Sequence, residues 1–593
     1  MRTRARLRRV WPRAPLAVSL IAVVTIGVAA SLVACGSREQ TAAPRAAPHA
    51  QLLIRNGVIF DGRGGDPIRG DIAVSEGRVV AVGTGLDGYT ADRIVDARGL
   101  AVAPGFINSL SWATDTLIAD GRALSDVKQG VTLELFGEGD SYGPLTPATR
   151  AEMQKRQGDI RFDIPWTTLG EYLDFLVKKG VSVNVASFVG AATVRSHELG
   201  FANRAPKPDE LARMQELVRQ AMREGALGVG SALIYAPGTY ARTDELIALT
   251  RAAGELGGGY TSHIRSEGDR LLEGIDELIE IVRATGVHGE IHHLKAAGEQ
   301  NWPKMRAAIA KIEAARAAGL PITANMYPYT AGATGLDAAM PPWVQEGGID
   351  DWVARLQDPN IRKRVLKEMR TPSKDWESLY LAAGSPERIV LIGFKTDALK
   401  PYTGKTLAEV ARLRHTTPED ATIDLVIEDR TRVGTAYYLM SEENVKLGLA
   451  QPWVSIDSDE GAPAPEGVFL RSAPHPRAYG SFARFLGKYV RDEKVTSLAD
   501  AIRRLTRLPA ENWKLRDRGC LDVKCHADIV IFDPAKIADH ATFDNPQALA
   551  TGVVHVFVNG VQVLKDGRHT GAMPGQVVRG PGWTGWAAAE AGR

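Results

Sequence analysis

Histidines and carboxylates stand in this sequence at the ends of apolar runs, where a buried cation site would need them. His263 lies in "YTSHIRSEGD", His292 and His293 in "EIHHLKAAG", Asp457 and Asp459 in "VSIDSDEGA", and Glu138 and Asp140 in "LELFGEGDS". Imidazole nitrogens and carboxylate oxygens are the donors of a zinc-type centre. Such an ion lowers the pKa of bound water to about 7, and a neighbouring carboxylate can pass the water's proton to a leaving nitrogen. Together these residues are the parts that a metal-assisted hydrolysis would need.

They can cooperate only if the runs before them are neighbouring strands. Apolar β-type runs occur at 102–108, 131–137, 182–189, 227–234, 258–264, 289–294, 321–327 and 452–457. They lack strict polar alternation, as strands covered on both faces do. Between them lie helical runs such as "DELARMQELVRQAMRE" and "RLLEGIDELIEIVRAT", apolar at three- and four-residue spacing. Eight such βα units predict an α/β fold, a (β/α)8 TIM barrel over 103–514, with its active groups at the C-terminal strand ends. A segment at about 330–450, containing "RIVLIGF", is too long for a loop and reads as an inserted subdomain. Because successive strand residues face opposite ways, only one of His292 and His293 is expected to face the barrel interior.

Both chain ends share a second texture. "LLIRNGVIFDG", "DIAVSEGRVVAVG", "HADIVIFDP" and "VVHVFVNGVQVLKDG" are β-rich and punctuated by Gly and Asp, with Asn559-Gly560 placed for a hairpin turn. Neither end can bury a core alone. The expectation is one small β-sandwich domain from both, over 51–102 and 515–580. Cys520 and Cys525 flank "GCLDVKC" and either pair across this short loop or stay as two thiols in a turn.

The 593 residues carry 72 basic and 70 acidic side chains, a net charge of +2. Six of the arginines fall within the first thirteen residues, so the body is near neutral or slightly acidic, and no nucleic-acid surface is expected. After those arginines comes "PLAVSLIAVVTIGVAASLVA", ending at Cys35. Basic start, apolar core and small-residue exit make an export signal over 1–34; an uncleaved membrane anchor is the alternative. "LVACGS" resembles a bacterial lipoprotein box, which implies acylation of Cys35 and attachment to a membrane surface on the periplasmic or outer side, with 35–50 as a tether.

The longer motifs carry a wider resemblance. "GVTLELFGEG", "EGALGVGSALIYAPGTYARTDELIAL", "HIRSEGD", "IHHLKAAG", "NMYPYTAGATGL", "VSIDSDEGA" and "HPRAYGSF" resemble the amidohydrolase superfamily, in its D-aminoacylase (N-acyl-D-amino-acid deacylase) branch, and with the terminal β regions the resemblance covers nearly all of 51–570. The resemblance implies that His263 and His293 bind metal and that Asp459 is the catalytic carboxylate. It further implies that Lys295, Arg477 and Tyr327 grip the substrate's carboxylate and scissile carbonyl.

The sequence also departs from that pattern. The usual His-x-His after strand one is Leu110 and Trp112, and the preceding Asp is Asn108. A histidine expected after "SFVG" is Ala191, the strand-two cysteine is Gly139, and the serine after "YPYTAG" is Ala333. These losses remove one metal position. The expectation is therefore a centre with a single divalent cation, Zn²⁺, held by His263, His293 and Glu138. Leu110 and Trp112 are expected to form an apolar wall. The substrate implied is a small acylated amino acid or dipeptide-like amide. The alternatives are a cyclic-amide hydrolase, or a decayed barrel serving as a binding lipoprotein.

Overall fold

A computed structural model describes residues 47–591. The 1–34 segment, Cys35 and most of the 35–50 tether lie outside the described residues. Strand pairing begins in His49–Ile59, inside the range read as a tether.

Eight parallel strands follow one another as the apolar runs predict. They are Phe106–Asn108, Val131–Phe136, Asn184–Ser187 continued by Val189–Gly190, Gly228–Ala232, Gly259–His263, Gly289–Ile291, Ile322–Met326 and Val454–Ile456. Each pairs in parallel with the next. The ring closes where Ser109 N–H donates to the Ile456 carbonyl at 3.4 Å and Asp459 N–H to the Leu110 carbonyl at 3.0 Å. Every residue of Val131–Phe136 is buried, the signature of a strand covered on both faces. The outer layer is helical: Pro208–Arg223 turns Met214, Val218, Ala221 and Met222 inward, and Leu271–Thr285 does so with Leu271, Ile275, Leu278 and Val282.

Two boundaries differ from the sequence reading. The run 102–108 is not one strand. Ala101–Pro104 belongs to the terminal sheet, paired with His49–Ile59 and Ile529–Phe532, and only Phe106–Asn108 enters the barrel. The break falls at Gly105, where a Cβ would sit 2.1 Å from the Thr132 hydroxyl. The run 289–294 stops at Ile291, which frees the two histidines after it from strand alternation.

The ends of the chain meet in one nine-stranded sheet. It buries Leu52, Ile54, Ile72, Val74, Ile529 and Ile531 on one side, and Ala50, Leu53 and Ala73 on the other. Asn559 (φ 50°) and Gly560 (φ 80°) make the tight turn that joins Val553–Val558 to Val561–Lys565. Cys520 and Cys525 are disulfide-bonded, so the reading of two loose thiols falls. Between the seventh and eighth barrel strands the insertion forms its own antiparallel sheet from Gly332–Gly335, Ile389–Gly393 and Gly434–Tyr437, flanked by helices such as Ile349–Gln357 and Pro418–Asp429. Among the described residues no helix is long and apolar enough to cross a membrane.

Gly105 gives a direct test of the junction. Gly105→Ala should lower the urea midpoint by an amount equivalent to about 1–3 kcal/mol of overpacking; an unchanged midpoint would show that Thr132 yields freely.

Candidate metal centre

The centre is assembled from three strand ends. After Val131–Phe136 the chain turns through Gly137 (φ 107°) and Gly139 (φ 72°), and Glu138 between them points inward, 5% exposed. At Gly139 a Cβ would stand 2.6 Å from the Ala232 Cβ and 2.9 Å from its backbone nitrogen. No cysteine fits there, and the acidic donor one residue earlier occupies the strand-two position instead. Glu138 Oε1 lies 2.8 Å from His293 Nε2 and 3.1 Å from His263 Nδ1. Glu138, His263 and His293 are all buried, and one donor atom from each falls within 4.8 Å of the others. Two imidazoles and a carboxylate converging in a buried place fit a zinc-type ion with one position open.

His263 ends the fifth strand. His293 lies beyond the sixth, in the left-handed region (φ 35°), and its N–H is caught by Asn325 Oδ1 at 2.6 Å. Non-glycine residues hold such backbones only where surrounding contacts fix them. The expectation that one of the paired histidines turns outward is corrected by this geometry. His292 also faces inward, bonded to Thr261 Oγ1 at 2.9 Å and Asn325 Nδ2 at 3.0 Å, and burial holds its pKa down to about 3. It is a neutral structural imidazole below the centre.

Electrostatics divide the two layers. Burial opposes the charge of Glu138, but the His293 and His263 imidazoles and their hydrogen bonds prevail and keep its carboxyl well below the usual range. Burial and Lys295 push His293 down, yet Glu267, Glu138 and Asp459 raise it to about 10. Glu267 is the residue that the sequence reading passed over, although it stands four positions after His263 in "HIRSEGD". It is buried, 2.6 Å from Lys295 Nζ and 3.0 Å from His293 Nδ1. Such outer carboxylates orient metal-binding imidazoles. Glu377 of the insertion in turn receives the Glu267 and Gly268 N–H groups at 2.9 and 2.8 Å.

Asp459 arrives from the eighth strand, also left-handed (φ 47°). Its Oδ2 pairs with the Arg477 guanidinium at 2.8 Å and its Oδ1 accepts from the Trp112 indole at 3.1 Å. Burial raises its pKa against the pull of Arg477 and His293. The same indole N–H reaches Glu138 Oε2 at 3.1 Å, so the triad and Asp459 stand on either side of one ring nitrogen. The expected apolar wall is thereby revised. Leu110 is packed away, 1% exposed, while Trp112 lines the cavity and turns a polar edge to two carboxylates. Asn108 is a tie between strands, bonded to Glu134 Oε2 at 2.9 Å and Ser458 Oγ at 2.7 Å. Ala191 starts the helix Ala191–Leu199, and the Ala333 carbonyl accepts from Arg477 at 3.2 Å. Asp140 is exposed at the cavity, and Asp457 is fully buried with neither oxygen hydrogen-bonded among the described residues.

Lys295, Arg477 and Tyr327 come together as read. Arg477 lies 4.5 Å and Lys295 5.7 Å from the centre of the Tyr327 ring. All three line a cavity of about 640 Å³ that holds the triad, Asp459 and Trp112 and is roofed by the insertion. Arg432, bonded to both Asp337 oxygens at 3.0 Å and 4.5 Å from the Tyr235 ring, also lines it. Nothing in the sequence around Arg432 marks it, because its place depends on how the insertion folds back.

Residues 182–564 match the amidohydrolase family. The chain is 32% identical to the D-aminoacylase of Alcaligenes xylosoxydans xylosoxydans, over 89% of this chain and 97% of that one. Its structure is similar to that of the N-acyl-D-glutamate deacylase of Bordetella bronchiseptica complexed with zinc and a phosphonate inhibitor that mimics the tetrahedral intermediate. That pair has a TM-score of 0.72 and 29% identity, covering 90% of this chain and all of the other. It is also similar to a D-aminoacylase structure whose binuclear metal centre is described as showing one-metal activation and second-metal attenuation, at TM-score 0.73 and 29% identity, over 89% of this chain and all of that one.

The raised pKa of His293 sets a pH dependence. A metal must displace the proton that this ring keeps up to about pH 10. With the site stripped by a chelator, apparent Zn²⁺ affinity should rise about tenfold per pH unit between pH 7 and 9, with proton release visible by calorimetry in buffers of different ionisation enthalpy. Affinity independent of pH in that window would contradict the assignment.

Proposed function

The chain belongs to the amidohydrolase family, in its D-aminoacylase branch, and is a metal-dependent hydrolase of carbon–nitrogen amide bonds; on that premise we propose that it cleaves the linear amide of N-acyl-D-amino acids or small related amides. The observation that carries this reading is the Glu138–His263–His293 triad facing Asp459 across 3.1 Å contacts from one indole nitrogen, inside a cavity lined by two buried cations.

Glu138, His263 and His293 would hold a single divalent ion, Zn²⁺ in our reading. When bound, it supplies Lewis acidity and a water with a pKa of about 7. Asp459 takes the water's proton at a carboxylate oxygen and delivers it to the nitrogen as the carbon–nitrogen bond breaks. Its raised pKa suits both halves of that task. Arg477, on the cavity wall with its guanidinium held by Asp459, offers a planar fork suited to the substrate's carboxylate. Lys295 is already neutralised by Glu267 and sits against His293, so it answers charge close to the scissile carbonyl. Tyr327 packs beneath both cations and excludes water from that side. One-metal activation of the D-aminoacylase relative supports a single working ion. The basic-apolar start and "LVACGS" support an exported protein tethered through Cys35.

Asp459→Asn should keep its zinc and lose about 10²–10⁴ in kcat. The assay is a panel of N-acetyl-D-amino acids, their L counterparts and cyclic hydantoins. Turnover confined to hydantoins would replace this reading with the cyclic-amide one, and turnover confined to L substrates would overturn the stereochemical part. Cys35→Ala should abolish incorporation of labelled palmitate into the expressed protein.

A further inference from the structure

Trp112 stands where the family pattern has a metal-binding histidine, and its geometry is not that of an idle replacement. Its backbone is fixed by an N–H bond to the Glu460 carbonyl at 2.9 Å. The indole is 38% exposed toward the cavity, yet its one polar atom is turned inward onto two carboxylates, 3.1 Å from Glu138 Oε2 and 3.1 Å from Asp459 Oδ1. Each carboxylate gives its other oxygen elsewhere: Glu138 Oε1 to the two histidines and Asp459 Oδ2 to Arg477. The N–H thus occupies the point between the metal-binding and proton-handling carboxylates. In two-metal hydrolases that is the region a second cation bridges, about 3.5–4 Å from the first.

We propose that Trp112 is a positioning residue that stands in for a second cation. Its indole N–H links Glu138 to Asp459, limits the centre to one divalent ion, and fixes the spacing between the ion's carboxylate and the carboxylate that moves the proton. This rests on the metal-centre reading given above. The physical basis is simple. Two carboxylates facing each other in a buried place repel unless something positive lies between them, and a cation or a donated hydrogen both satisfy that need. A neutral donor on a rigid ring does so without a second ion's Lewis acidity, and its bulk leaves no room for one. Leu110 beside it presents no lone pair, so neither former ligand position can recruit an ion.

The test uses the full-length protein with Co²⁺ in the centre, because cobalt's visible bands respond to ligand geometry. Wild type should take up one equivalent of Co²⁺ or Zn²⁺ by equilibrium dialysis, even with the metal in large excess. Trp112→Phe keeps the ring and removes the donor. It should still bind one equivalent, but with shifted cobalt bands and a kcat lowered at least tenfold at a KM within about twofold of wild type. Leu110→His/Trp112→His restores two ligands and should bind a second equivalent, which also serves if the Phe variant fails to fold. Cobalt bands and kcat unchanged in Trp112→Phe would overturn the positioning role. Wild type binding two ions in the centre, or the double variant holding at one, would overturn the limit to a single ion. A folded wild type that takes up no metal at all would instead bring down the metal-centre reading beneath it, so the two failures are distinguishable.

Discussion

A single buried carboxylate, Glu138, organises the centre of this protein. One of its oxygens holds two imidazoles together and the other receives the indole of Trp112. Its ionised state depends on those partners, because burial alone would neutralise it. The partners depend on it in return, since His293 keeps its raised pKa partly through Glu138. Such mutual support has a structural cost. Two of the residues that complete the arrangement, His293 and Asp459, adopt left-handed backbones that side-chain and main-chain hydrogen bonds must hold.

The barrel supplies the rigidity that this requires. Its strands are short where they matter: three residues in the first, sixth and eighth. Early termination releases the next residues from alternation and lets His292 and His293 both turn inward, one into a neutral packing layer and one into the centre. Asn325 touches both, donating to His292 and accepting from the His293 backbone. A polar layer beneath the site thus sets the geometry above it.

Much of this was legible in the sequence. Eight apolar runs gave the barrel, because buried parallel strands write themselves as continuous hydrophobic stretches. His263, His293, Glu138 and Asp459 were legible because each stands at or just past the end of such a run. What escaped was whatever depends on a single backbone angle or on distant folding. The split at Gly105 is invisible until the terminal sheet claims Ala101–Pro104. Nothing in "HIRSEGD" marks Glu267, whose place is fixed by Lys295 and by the insertion's Glu377. Trp112 read as apolar because indole is mostly hydrocarbon, and its role lies in one nitrogen whose aim only the fold decides.

The terminal sheet has a further consequence. Ala101–Pro104 leads straight into the first barrel strand, yet it is hydrogen-bonded to Ile529–Phe532 from near the opposite end of the chain. During synthesis the doorway to the barrel is therefore paired on one edge only, against His49–Ile59, until Ile529–Phe532 has left the ribosome. Nascent chains must wait in an incomplete state whose open β-edge invites chaperones, and a polypeptide stalled or clipped near its carboxyl end would forfeit the seam on which the whole cylinder is hung.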